Sequence, residues 1–109
     1  MLFRSWNFQP EFAESTSAGA KIVYRYQAKG VYLVGSSITG VRARILRDGK
    51  PLTKDEAGED VVLKDGQSYV TFKEDRLYKI IQDKNGASEH TLEIIIEAPG
   101  MKAFAFTFG

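Results

Sequence analysis

The chain has 109 residues, with fifteen basic and fourteen acidic side chains, a single histidine and no cysteine. A chain of this length is expected to form one domain, residues 1–109, that buries roughly two thirds of its unfolded surface and needs no disulfide or metal to hold its core. Its formal net charge of +1 is too small to gather nucleic acid or an anionic membrane by charge alone. The start MLFRSWNF lacks the apolar region and cleavage site of a signal peptide. No apolar run reaches the roughly 20 residues of a membrane helix. Because Met1 stands directly before a predicted strand, the domain is expected to be a piece cut from a longer protein.

Apolar and polar residues alternate along much of the chain with a period of two, which is typical of strands with one buried face. The expected apolar faces of the first strands are Ile22, Tyr24 and Tyr26, and then Val41, Ala43 and Ile45. Between these segments, Gly30 stands where a tight hairpin could turn. Asp48-Gly49, Asp65-Gly66, Asn85-Gly86 and Pro99-Gly100 provide later turn signals.

The last strand, KAFAFTF, places three phenylalanines on one face and alanines on the other. Its strong β propensity and bulky rings favour a position inside a sheet, against the other layer. Eight or nine short strands, with turns every 8 to 12 residues and no helical periodicity, predict an all-β fold: an antiparallel β-sandwich of the jelly-roll type.

Four segments carry a family resemblance: WNFQPEFAESTSAGAKIVYRYQAKGVYLV, RDGKPL, RLYKII and the terminus TLEIIIEAPGMKAFAFTFG. Together they resemble the C-terminal domain of DipZ-type thiol-disulfide oxidoreductases, over Trp6 to Gly109. The resemblance implies a jelly roll similar to carbohydrate-binding modules, placed after a thioredoxin-like domain and a membrane segment similar to cytochrome c biogenesis proteins, or another anchor. It transfers no catalytic residue and no cofactor, because the family's redox Cys-x-x-Cys pair belongs to the thioredoxin domain.

The implied role is that of a noncatalytic module in a membrane-anchored, periplasmic or otherwise extracytoplasmic protein. Such a module would recognise an envelope glycan or protein and so position the thioredoxin-like domain. The alternative is a purely structural domain that docks on its own thioredoxin-like domain and binds nothing else. The expected partners are therefore that domain and a glycan, without nucleic acid or direct membrane contact.

A sugar site needs a flat aromatic ring flanked by groups that bond to hydroxyls. The candidate rings are Trp6, Tyr32 and Tyr69, and the candidate polar partners are Arg25, Arg42, Arg44 and Glu93. Strand parity allows these four polar residues to line one solvated sheet surface. The competing interpretations are a core position for Trp6 and cross-strand carboxylate partners for the arginines.

Three further features have structural and functional interpretations. Arg76 and Tyr78 share strand parity and predict either a structural anchor or an interdomain contact. His90, alone in the chain, predicts a hydrogen-bonded residue at the start of a buried strand, with a catalytic base as the alternative, and excludes a multi-histidine metal site. The acidic segment KDEAGED predicts a solvated loop, with a structural calcium as the alternative.

Overall fold

A computed structural model describes residues 6–8, 13–15, 20–84 and 86–109, with side chains described from Ala20 onward except at Asn85 and Phe104. The strands in this part of the chain are Trp6–Phe8 (β1), Ala13–Ser15 (β2), Lys21–Ala28 (β3), Gly30–Ser36 (β4), Val41–Arg47 (β5), Lys50–Pro51 (β6), Val62–Lys64 (β7), Gln67–Phe72 (β8), Arg76–Gln82 (β9), Ser88–Ile96 (β10) and Lys102–Phe108 (β11). No helix in the described ranges is long and apolar enough to cross a bilayer.

Two antiparallel sheets pack face to face and form a sandwich. Sheet A has the strand order β1-β2-β11-β4-β9, and sheet B has the order β3-β10-β5-β8-β7, with β6 paired to β5. The predicted all-β sandwich is thereby confirmed. The short strands β1, β2 and β6 are additional to the eight or nine expected from the sequence.

The predicted turns at Asp48-Gly49 and Asp65-Gly66 join β5 to β6 and β7 to β8. Both residues of each turn have positive φ, at 53° and 80° in the first and 52° and 74° in the second. This is the backbone twist that a two-residue hairpin requires, and Asp and Gly tolerate it better than other residues do.

The expected hairpin at Gly30 is wrong. Strand β3 belongs to sheet B and β4 to sheet A, so the chain crosses between the sheets at this point. The ring of Tyr32 packs on the Gly30 backbone there: a Cβ at this position would come within 2.8 Å of Tyr32 Cζ, so the ring would have to move. The glycine therefore serves a close contact and not a turn.

The core lies between the sheets and is built from the predicted alternation. Val41, Ala43 and Ile45 of β5 are fully buried. The largest other side chains in the core are Leu33, Phe72, Tyr78, Ile80, Ile81, Leu92, Ile94, Ile96 and Met101. Because burying one such side chain contributes roughly 1.5 to 3 kcal/mol, this layer carries most of the stability of the domain.

Strand β11 lies inside sheet A, between β2 and β4, as its composition predicts. Its pairing with β4 shifts between Ala103 and Ala105, which is a β-bulge. Phe106 and Phe108 lie opposite the buried Leu33 and Val31, so they face the space between the sheets. The side chain of Phe104 lies outside the described residues.

Tyr24 differs from the sequence prediction, because it is 44% exposed although it shares the parity of the buried Ile22 and Tyr26. Strand β3 is the first strand of sheet B, so Tyr24 stands at the open edge of the sandwich. There its ring stacks on Phe106 and Phe108, with centroid separations of 5.7 and 5.3 Å.

Candidate functional site

The outer face of sheet B carries the predicted polar residues of β3, β5 and β10. Arg25 lies opposite Thr91, and Arg44 lies opposite Tyr69. The residues brought onto this face are Arg25, Arg42, Arg44, Tyr69 and Glu93. The structure thus assembles most of the predicted set on one surface.

Most of these side chains form hydrogen bonds or ion pairs with one another or with side chains of neighbouring strands. Arg25 Nε donates to Glu89 Oε1 at 2.6 Å, and its Nη1 donates to Thr91 at 2.9 Å. Arg42 pairs with Glu97, and this hydrogen bond raises the pKa of the Arg42 guanidinium. These are the cross-strand carboxylate contacts of the structural interpretation.

Glu93 and Tyr69 on this face also contact other protein side chains, whereas one buried nitrogen of Arg44 has no described hydrogen-bond partner. Glu93 pairs with Lys21 at 3.5 Å. The Tyr69 ring lies under the Arg42 guanidinium, whose Cζ is 4.3 Å from the ring centroid. This cation–π contact takes one face of the ring that a sugar would use. Arg44 Nε is buried and has no hydrogen-bond partner in the described part of the chain.

Tyr32 lies on the other sheet, where it pairs with Lys79 and Thr107. Trp6 lies on β1 of the same sheet, opposite Ser15, and its side chain lies outside the described residues. The structure therefore separates the three candidate rings: Tyr69 is on sheet B, and Tyr32 and Trp6 are on different strands of sheet A.

Tyr32 lines a surface cavity of about 500 Å³, which we name the Tyr32 pocket. Its lining consists of Lys29, Gly30, Tyr32, Ala57, Gln82, Asp83, Lys84 and Gly109. One aromatic ring, one amide and two ammonium groups thus line the same cavity, which provides a stacking surface and hydrogen-bond donors in one place.

Backbone hydrogen bonds fix the walls of the Tyr32 pocket. The N–H groups of Lys29 and Gly30 donate to the carbonyl oxygen of Gly109 at 3.0 and 2.9 Å. The N–H of Asp83 donates to the carbonyl of Lys29, and that of Lys84 to the carbonyl of Asp55. Because main-chain bonds tie these segments together, the pocket is preformed and a ligand would not have to order them.

The two lysines of the pocket differ from the arginines of sheet B. Lys29 and Lys84 are both exposed, and neither ammonium has an ion-pair partner among the residues that the structure describes. The lining carboxylate, Asp83, is 5% exposed and bonds Arg47 through Oδ2 at 2.9 Å. Asp83 therefore bonds a partner below the surface, while the ammonium groups of Lys29 and Lys84 remain exposed.

Arg47 is the centre of a buried polar network beside the pocket. Its guanidinium, 10% exposed, pairs with Asp83 and with Glu56. Glu56 in turn accepts the N–H of Thr53 at 3.0 Å. These contacts tie the end of β5 to the loop after β6 and to the end of β9.

Burial and neighbouring charges shift the pKa values of two members of this network, Tyr26 and Arg47. Burial raises the pKa of the Tyr26 hydroxyl, and the neighbouring Arg47 guanidinium partly offsets that rise. Burial lowers the pKa of Arg47, but its bond to Asp83 and the nearby charge of Glu56 outweigh this and raise it above the ordinary value. Arg47 is therefore a permanent cation that holds Asp83 in place.

Arg47, Asp83 and Glu56 were not predicted as a site, although the sequence holds one signal for them. Arg47 has the same parity as the buried Val41 and Ile45, so a charge falls on an apolar face. Such a side chain needs a buried partner. The partner was not predictable from spacing, because Asp83 is 36 residues away.

Arg76 and Tyr78 lie at the opposite end of β9 from the Tyr32 pocket. Tyr78 is buried, and its hydroxyl accepts the N–H of Lys73 and donates to the carbonyl of Glu74, both at 2.8 Å. Arg76 stacks on the Tyr78 ring at 4.0 Å and pairs with Asp60 at 2.7 Å. These are the contacts expected of a structural anchor.

His90 is hydrogen-bonded on both ring nitrogens. Nδ1 lies 2.5 Å from Asp48 Oδ2, and Nε2 lies 2.6 Å from Ser88 Oγ. Asp48 also accepts the N–H of Thr91, and this bond, together with His90, lowers the pKa of the Asp48 carboxyl. The bonds of Asp48 to the His90 ring and to the Thr91 N–H clasp the β5–β6 turn to β10.

The acidic loop distributes its carboxylates among different cations. Glu56 pairs with Arg47, Glu59 with Lys79 and Asp60 with Arg76. No group of three or more acidic or histidine side chains in the described ranges stands together as metal ligands would. The hydrogen bond from Arg76 lowers the pKa of Asp60, burial opposes this, and the Lys79 N–H lowers it further.

Comparison with known families adds one result. The family model described as Thioredoxin like C-terminal domain matches residues 2–109. No curated protein matches the chain closely enough to count as a relative.

Proposed function

Because the chain belongs to the thioredoxin-like C-terminal domain family, we propose that it is the noncatalytic recognition module of an extracytoplasmic thiol-disulfide oxidoreductase of the DipZ type. The module binds an envelope glycan and so places the thioredoxin-like domain of its parent protein beside its substrates. A jelly-roll fold similar to carbohydrate-binding modules belongs to the same proposal. The parent protein is membrane-anchored in this account.

The Tyr32 pocket carries this proposal. It is concave and preformed, and it combines a tyrosine ring with amide and ammonium donors. Saccharide sites use an aromatic ring against the apolar face of the sugar and a few fixed polar groups for its hydroxyls. The outer face of sheet B supports binding less well, because its arginines already pair with carboxylates.

The mechanism is tethering. The chain contains no cysteine, so the dithiol chemistry of the parent belongs to another domain. When that domain is held near an envelope polymer, nearby proteins are present at a high effective concentration. For short flexible linkers this effective concentration reaches the millimolar range. Recognition thus raises the local rate without any residue of this module taking part in bond breaking.

A calorimetric titration with envelope saccharides tests the proposal, using the Tyr32→Leu variant. We expect the wild-type domain to bind and Tyr32→Leu to weaken binding by about two- to tenfold, because ring stacking contributes roughly 0.5 to 1.5 kcal/mol. Tyr69→Leu is the matched control, since that ring is covered by Arg42, and it should leave affinity unchanged. Absence of binding to all the saccharides tested, or equal loss in both variants, would overturn the proposal.

A second role, docking on the parent's thioredoxin-like domain, is favoured by the aromatic cluster of Tyr24, Phe106 and Phe108. Tyr24 and Phe108 are 44% and 39% exposed, and the three rings stack on one another. The cluster lies at the sandwich edge formed by β3 and by the half of sheet A that holds β1, β2 and β11. A domain docked at this edge would cover the exposed rings.

Hydrogen exchange separates docking from independent recognition. Docking predicts that amides of 104–108 and of β3 exchange more slowly in the two-domain protein than in the isolated module. A Tyr24→Ser variant should abolish that difference. Identical exchange at this edge in both proteins would exclude docking while leaving the glycan proposal standing.

A further inference from the structure

The Tyr32 pocket has an unequal balance of hydrogen-bonding groups. Lys29 and Lys84 are ammonium groups with three donors each and no acceptor. The lining carboxylate, Asp83, is directed to Arg47 and is thus committed within the protein. A ligand therefore meets mainly donors at the mouth of the pocket and must bring acceptors to satisfy them.

The charges around the pocket also favour a ligand that brings hydrogen-bond acceptors. Among the side chains here, Lys29, Lys84 and Arg47 are cations and Asp83 and Glu56 are anions, so the side chains carry one positive charge in surplus. Both anions bond to Arg47 below the surface, whereas the lysines are exposed at the opening. A negative group on a ligand can approach the ammonium groups without first displacing a carboxylate partner, so it loses little in the exchange.

We propose that the Tyr32 pocket selects saccharides that carry a carboxylate, with the acid held by Lys29 and Lys84 and the sugar ring against Tyr32. This inference rests on the proposed glycan-binding function and narrows its ligand class to uronic-acid or other carboxylated sugars. Neutral saccharides of the same linkage can stack on Tyr32, but they leave the two ammonium groups without an anionic partner.

Paired titrations with two probes test this selection at low ionic strength: cellotetraose, and the tetramer of β-1,4-linked glucuronate, which differs from it at C6. We expect the acidic tetramer to bind about tenfold more tightly, since each exposed charge pair contributes up to about fivefold. The advantage should shrink as salt is added, because exposed charges are screened. Sodium acetate alone should cause no comparable change.

Variants then locate the effect. In the Lys29→Gln/Lys84→Gln double variant we expect the acidic tetramer to lose its advantage while the neutral tetramer keeps its affinity. Lys50→Gln/Lys64→Gln is the control, because it removes the same charge from exposed positions of sheet B outside the pocket. It should leave the preference intact.

The outcomes distinguish this inference from the function on which it rests. Equal affinity for both tetramers would overturn acid selection and leave glycan recognition standing. Binding of neither tetramer, nor of the envelope saccharides above, would overturn both. A preference that survives in the pocket variant, or that acetate alone reproduces, would show that the carboxylate is bound elsewhere or without the sugar, and would overturn the inference.

Discussion

On the outer face of sheet B, Arg25 and Arg42 meet carboxylates across the strands, whereas in the Tyr32 pocket Lys29 and Lys84 meet none in the described part of the chain. Both surfaces combine a tyrosine with cations. On the sheet, Arg42 covers the ring of Tyr69. In the pocket, the ring of Tyr32 packs on glycine backbone and lines an open cavity.

This difference teaches that residue type alone does not mark a binding surface. Cross-strand register brings arginine next to glutamate on a flat sheet, and the pair satisfies itself. At the Tyr32 pocket, backbone segments converge at strand ends and leave room between them, and Lys29 and Lys84 have no ion-pair partner among the residues that the structure describes. The following variants therefore compare cations that have an ion-pair partner with cations that have none.

The largest effect is expected at Arg47, the most deeply paired cation. Arg47→Met leaves the buried Asp83 and the partly buried Glu56 without a counter-charge, so we expect the free energy of unfolding to fall by about 3 to 5 kcal/mol. Chemical denaturation measures it. The double variant Arg47→Met/Asp83→Asn should recover part of this loss. A single variant that unfolds like the wild type would contradict the buried network.

A smaller and pH-dependent effect is expected at Asp60, which accepts bonds from Arg76 and from the Lys79 N–H. Asp60→Asn should cost about 1.5 to 3 kcal/mol at neutral pH, the range for hydrogen bonds to a charged group. The folded pKa of Asp60 is lowered, so its contribution is present above the unfolded pKa of aspartate and is lost as pH falls through the folded pKa. The two proteins should therefore converge in stability under acid, and a gap that is constant with pH would refute this assignment.

An exposed pair of the sheet should matter still less. Arg25 and Glu89 have side chains 61% and 57% exposed. Arg25→Ala is expected to lower the free energy of unfolding by less than about 1 kcal/mol. Added salt should reduce the difference further, because it screens the pair. A loss comparable to that of Arg47→Met would mean that exposure does not govern these pairs.

The smallest effect on stability is expected for the pocket lysines. Lys29→Gln/Lys84→Gln removes no described ion pair, so thermal unfolding should stay within about 0.5 kcal/mol of the wild type. Ligand affinity alone should change. A clear loss of stability would show that these side chains serve the fold, and it would remove the contrast with sheet B.

Local features of the fold could be predicted from the sequence because they depend on neighbouring residues. The buried face of β5 follows from alternation, and the hairpins at Asp48-Gly49 and Asp65-Gly66 follow from turn chemistry. The crossing at Gly30 could not, since a glycine is equally suited to a turn and to a close contact. The exposure of Tyr24 depends on β3 being an edge strand, which alternation does not reveal.

The site was predictable only in part. Tyr32 was named as a candidate ring, and its position in a pocket agrees with that prediction without testing it. The lysines beside Tyr32 were not predicted as site residues. Lys29 follows β3 and Lys84 follows β9, and backbone hydrogen bonds bring these two segments together. The arginines of sheet B were named because their strand parity is visible in the sequence, but their carboxylate partners lie more than fifty residues away.

The most direct test is a ¹⁵N-labelled NMR titration of the domain with the acidic tetramer. The account predicts that amide shift changes will cluster at Lys29, Tyr32, Gln82 and Lys84, and will be absent from Arg25, Arg42 and Tyr69. Changes confined to the outer face of sheet B, or no changes at saturating saccharide, would contradict it.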